Sequence, residues 1–103
     1  MNLKYDIEIN NEAIIKTIEK LTNRIFKLLP DREEGSDWQT PLRNMIVEIG
    51  GMNNMMQDHT VLFSLLCKLE SLFTLEDESD FPMYRTVIFE CLGLCNALKK
   101  TII

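Results

Sequence analysis

A chain of 103 residues with 46% hydrophobic and 26% charged side chains is long enough for one domain with one core, and too ordinary in composition for global disorder. Its net charge of −5 excludes a general nucleic-acid binder, which needs a basic footprint, and no apolar run approaches the ~20 residues that cross a bilayer. Three cysteines, none in a C-x-x-C pair, and an N-terminus without a basic stretch followed by an apolar one predict reduced thiols in a cytoplasmic protein.

Residues 3–9 alternate, with Leu3, Tyr5, Ile7 and Ile9 on one side and Lys4, Asp6 and Glu8 on the other. That is the period of a half-buried strand, yet no second segment matches it, and a lone strand leaves its backbone groups unpaired. The segment is an arm laid on the helices, a strand paired with its copy in a dimer, or part of the first helix; the arm, over 1–10, is the reading adopted.

A helical domain is expected over 11–103. Asn10 or Asn11 can cap a first helix at about 11–29, where Ile14, Ile18, Leu21, Ile25 and Leu28 recur at spacings of four and three, with Ile15, Phe26 and Leu29 beside them in one broad apolar stripe. Lys16, Lys20, Arg24 and Lys27 form a basic stripe roughly opposite. Pro30 is expected to end this helix, because the residue before a proline is pushed from helical geometry.

A polar corner follows, dense in charge and holding the only tryptophan: Asp31, Arg32, Glu33, Glu34, Asp37 and Trp38. Asp37 or Thr40 can cap a second helix with Pro41 in its first turn, and Leu42, Met45, Ile46 and Ile49 face inward. Gly50-Gly51 is expected to stop it after barely three turns, with room for one loose turn over Met52 to Met56. A third helix, opened by Asp58 and running to about Phe73, carries Leu62, Leu65, Leu66, Leu69 and Leu72, with Phe63 and Cys67 as a second apolar flank. It reads as the most buried of the four. An acidic loop, Glu76, Asp77, Glu78 and Asp80, leads into the last helix, with Asp80 as its cap. Tyr84, Val87, Ile88, Cys91, Cys95 and Leu98 form that helix's inner face. Four helices on short connections predict an all-α, four-helix antiparallel bundle.

Catalytic constellations are incomplete. Cys67, Cys91, Cys95 and His59 suggest a zinc site, but His59 and Cys67 on one helix are ~12 Å apart along its axis at 1.5 Å per residue. The cysteines of the last helix lie on its apolar face, where thiols pack as small hydrophobes. Glu33, Glu34 and Asp37 resemble half of the carboxylate pattern by which helical nucleotide pyrophosphohydrolases bind magnesium, but no second acidic pair follows. A single His excludes two Glu-x-x-His motifs, and no nucleophile elbow or phosphate loop is present. No enzyme and no cofactor is predicted. The methionines Met52, Met55 and Met56 either cover the core or form an adaptable surface.

Trp38 on the corner either lids the bundle or is an exposed anchor of the kind enriched at interface hot spots, with Arg32 and Arg43 close by. The candidate protein-binding residues are therefore Arg32, Glu33, Glu34, Asp37, Trp38 and Arg43. The basic stripe reads by default as a solvated face, though it can also meet the acidic loops of a second copy; the alternating arm and the small residues Thr86, Gly93 and Ala97 on the back of the last helix predict a homodimer.

The stretches from Leu29 to Leu42 and from Phe63 to Leu72 resemble those of short uncharacterised all-α accessory proteins of phages and mobile elements in low-GC Gram-positive bacteria, over about a quarter of the chain. That resemblance implies an intracellular accessory role and supplies no catalytic residues. The function expected is binding of another protein, such as inhibition of a host factor or defence nuclease, with no direct nucleic-acid or membrane partner. A magnesium-dependent nucleotide hydrolase or a structural subunit of a larger assembly are the alternatives.

Overall fold

The spacing of apolar residues along the chain produces four helices, each with one buried stripe. In the computed structural model, which describes residues 11–55 and 60–102, these are α1 (Asn11–Glu33), α2 (Gln39–Met55), α3 (Thr60–Ser71) and α4 (Phe81–Ile102). Two short 3-10 turns, Leu72–Thr74 and Glu78–Asp80, lie between α3 and α4. No strand occurs among the described residues; the arm over 1–10, Asp58 as opener of the third helix, and His59 all lie outside them.

Cross-helix contacts fix the directions. Arg24 on α1 pairs with Glu48 on α2, while the Arg32 guanidinium approaches Trp38 at the start of α2, so these helices run antiparallel. The same holds for α1 and α4, where Lys99 reaches Glu19 and the Tyr84 hydroxyl donates to the Leu28 carbonyl. Lys68 pairs with Glu90 between α3 and α4, and Arg43 on α2 covers Phe73 just beyond α3. Neighbours in sequence are neighbours in space and α4 closes the ring against α1, which is an up-down-up-down bundle.

The core follows the expected stripes: Ile18, Ile25, Leu28, Leu42, Met45, Leu65, Leu69 and all six residues expected on the inner face of α4 are buried. Cys91 and Cys95 lie within it, and burial pushes the Cys91 thiol up to about 12. The buried set also includes Asn53, whose Oδ1 accepts no hydrogen bond among the described residues.

Three expectations need correction. Pro30 does not end α1, which continues to Glu33. The proline costs one bond, to the Phe26 carbonyl, within the last two turns. The stop is Gly35, at φ 76°, where Gly35 N–H donates to Arg32 O (3.1 Å) and Ser36 N–H to Asp31 O (2.8 Å) in a Schellman arrangement. Gly50 and Gly51 do not stop α2, which runs through them to Met55. Ile49 before the pair and Asn53 after it are both buried, and that packing outweighs a propensity cost of ~1 kcal/mol per glycine. Finally, the edges of two apolar stripes are not buried: Phe26 beside the stripe of α1, and Phe63 and Cys67 on the second flank of α3, are exposed.

Candidate functional site

In an up-down bundle the α1–α2 and α3–α4 connections share one end, and here they converge on Arg32. Its place in the last turn of α1 aims the side chain across the bundle end. Nη1 donates to the Leu75 carbonyl and Nη2 to the Asp77 carbonyl at 2.7 Å, so one guanidinium straps the whole α3–α4 connection to α1. The cation also lies over three rings, with its central carbon 4.4 Å from the Tyr84 centroid, 5.3 Å from Trp38 and 5.7 Å from Phe81. A weakly hydrated planar cation suits such a cage, because it stacks and donates in its plane at once.

Trp38 is half-buried and packs on the core. Its ring meets Tyr84 edge-on at 5.1 Å and stacks beside Phe73 at 6.5 Å. Tyr84 is fully buried, and desolvation raises its pKa strongly, keeping the hydroxyl protonated to donate to Leu28 at 3.2 Å. Of the two roles read from the sequence, the geometry of Trp38 is that of a lid over helix ends.

The backbone entering α2 is held by Asp37, whose Oδ1 accepts from the Gln39 and Thr40 N–H groups at 3.0 and 3.1 Å. These are the N2 and N3 donors of a helix N-terminus. Hydrogen bonding from Thr40, first of all, holds the Asp37 carboxyl below its usual range. Gln39 donates onward to Glu76, joining the two connections a second time. Arg43, one turn into α2, sits 5.8 Å from the Phe73 ring.

Around this clasp lies an acidic rim. Residues 31–37 and 76–80 hold eight carboxylates, and Glu33, Glu34, Asp37, Glu76, Asp77 and Glu78 are exposed. Arg32 and Arg43, the cations beside them, are both engaged with rings. Among the described residues no three Asp, Glu, Cys or His side chains converge as a metal-holding group.

All six candidate residues thus lie at one end of the bundle, in two roles: Arg32, Trp38 and Arg43 in the clasp, Glu33 and Glu34 on the rim, and Asp37 in both. Sequence reasoning missed the 76–80 loop as part of the same site, together with Gln39, Phe73, Phe81 and Tyr84. The signal was present, since the shared parity of the two connections in an up-down bundle dictates their meeting. No helix among the described residues is long and apolar enough to cross a membrane. No family model, curated protein or solved structure matches the chain.

Proposed function

We propose that the protein is a non-catalytic binding module whose acidic rim engages a basic surface of another protein. The observation that carries this reading is the placement of exposed carboxylates from two connections around a clasp that already occupies the nearby arginines. Eight carboxylates against the two arginines leave this end net negative, so like charges repel one another, and a basic partner relieves that repulsion while steering association. The clasp fixes the rim's backbone before any partner arrives, which reduces the ordering cost of binding. Together with the resemblance to phage accessory proteins, this supports an inhibitor that occupies a host factor, a defence nuclease included.

The test is affinity capture from a lysate of a low-GC Gram-positive bacterium, using wild type and the rim variant Asp77→Lys/Glu78→Lys. Both substitutions are at exposed positions and leave the clasp's carbonyls in place. A protein retained by wild type and lost with the variant supports the reading. An identical retained set, or none with wild type, rejects it.

A further inference from the structure

The outer side of α1 carries an exposed aromatic and a row of lysines that the acidic rim does not use. Phe26, on the turn between Thr22 and Pro30, is 52% exposed, and Phe89 on α4 is 45% exposed. Phe26 lies four residues after Thr22, which contacts Cys95 of α4, so it sits on the flank of α1 that faces α4. The Leu28–Tyr84 and Glu19–Lys99 contacts set the register of the two helices and bring Phe26 level with the turn of α4 that holds Phe89. Along the same outer side, Lys16, Lys20 and Lys27 are exposed and form no ion pair among the described residues. Arg24, the fourth member of the basic stripe, is instead held by Glu48.

We propose that this face docks a second copy of the chain, with the two α1 helices antiparallel about a two-fold axis near Phe26. The register of charge argues for it. At 1.5 Å per residue, Lys20 and Lys16 lie about 9 and 15 Å from Phe26 toward the N-terminus. Glu33 and Glu34 lie about 10 and 12 Å from it toward the C-terminus. A two-fold axis at Phe26 reverses one helix on the other, so Lys16 and Lys20 of each copy meet its partner's glutamates, while the phenylalanines, and Lys27 beside them, meet their own copies at the centre. A parallel arrangement would set all three lysines on lysines. Glu19, the acidic residue within the basic half, is already bound by Lys99 at 3.5 Å. An isologous contact requires one self-complementary patch, and outside Lys27 this one is complementary in sign and in spacing along the helix. This contact shares Glu33 and Glu34 with the rim but uses neither Asp77 nor Glu78, the two residues on which the rim's own test rests.

Sedimentation equilibrium of the full chain into the high micromolar range tests it. The expected mass is twice the 12.0 kDa of one chain, with association weakening as salt rises. Lys16→Glu/Lys20→Glu and Glu33→Lys/Glu34→Lys should each weaken dimerisation by about tenfold, since each turns attraction into repulsion at both symmetry-related contacts. Combining all four should restore it to within about threefold, which a merely structural role would not do. Phe26→Glu should abolish the dimer with the helical circular dichroism unchanged. A monomeric mass at every concentration, or a dimer indifferent to charge reversal and to Phe26→Glu, overturns the proposal. Loss of the dimer alongside intact lysate capture would leave the rim reading standing.

Discussion

The guanidinium carbon of Arg32 lies 4.4 Å from the ring centroid of Tyr84, joining the last turn of α1 to the first turns of α4. The same group donates to two carbonyls of the α3–α4 connection. Removing it takes the side-chain donor from the Leu75 carbonyl, leaves the Asp77 carbonyl only the Asp80 N–H at 2.9 Å, and strips the rings of their cation. Arg32→Ala should therefore cost about 2 kcal/mol of folding stability. Arg32→Lys should recover less than half, because an ammonium cannot reproduce the planar fork. Urea unfolding of both variants checks this.

Trp38 closes the same end. Truncating a half-buried aromatic that touches two other rings removes packing the site cannot easily recover. We expect Trp38→Ala to cost about 2 kcal/mol, or about 10 °C in Tm for a chain of this size. A thermal scan decides it.

The glycines should divide by position. Gly35 holds φ 76°, so Gly35→Ala should destabilise by about 1 kcal/mol. Gly50 and Gly51 lie inside α2, and a Cβ built on either meets nothing within 4 Å. Gly50→Ala and Gly51→Ala should each stabilise by about 0.5–1 kcal/mol. Denaturant midpoints of the three variants measure the contrast.

These glycines also show how far the sequence was legible. The stripes on α1, α2 and α4 followed from spacing alone, because a 3.6-residue period leaves little choice of which face is buried. The helix ends did not follow. Pro30 and Gly50-Gly51 have the chemistry of stops, yet a helix ends where packing lets it, and Ile49 and Asn53 hold α2 across its glycines. Trp38 and Arg32 were visible as unusual residues. Their partners Phe81, Tyr84 and the Leu75 and Asp77 carbonyls are more than forty residues away, and only the folded topology brings them together.

Asp37 links the corner to pH. Its folded-state pKa is lowered below the ordinary 3.8, chiefly by hydrogen bonding from Thr40, so the native state favours the charged form more than the unfolded state does. The resulting stability is present above the unfolded pKa and is lost as pH falls through the folded one. Wild type should lose stability on acidification below about pH 4. Asp37→Asn keeps a capping oxygen but does not titrate, and should lose less over that window. Urea midpoints at pH 6, 4 and 2.5 provide the comparison.

The cysteines give an independent check on the core. Cys67 is exposed, whereas Cys91 and Cys95 are buried, with burial raising both thiol pKa values. At mildly alkaline pH a thiol reagent should label one site per native chain and three in denaturant, since the thiolate is the reactive species. Peptide mapping should place the native label on Cys67. Rapid native labelling of Cys91 would contradict the packing of α4.

On the proposed function, the corner divides into a clasp that holds the fold and a rim that would take the partner. The most direct measurement is lysate capture in the cold by wild type, Trp38→Ala and Asp77→Lys/Glu78→Lys, with Tm recorded on the same preparations. Trp38→Ala should melt about 10 °C lower yet retain the partner while folded, and the rim variant should melt within about 2 °C of wild type and retain nothing. Loss of capture by Trp38→Ala at unchanged Tm, or undiminished capture by the rim variant, would contradict that division.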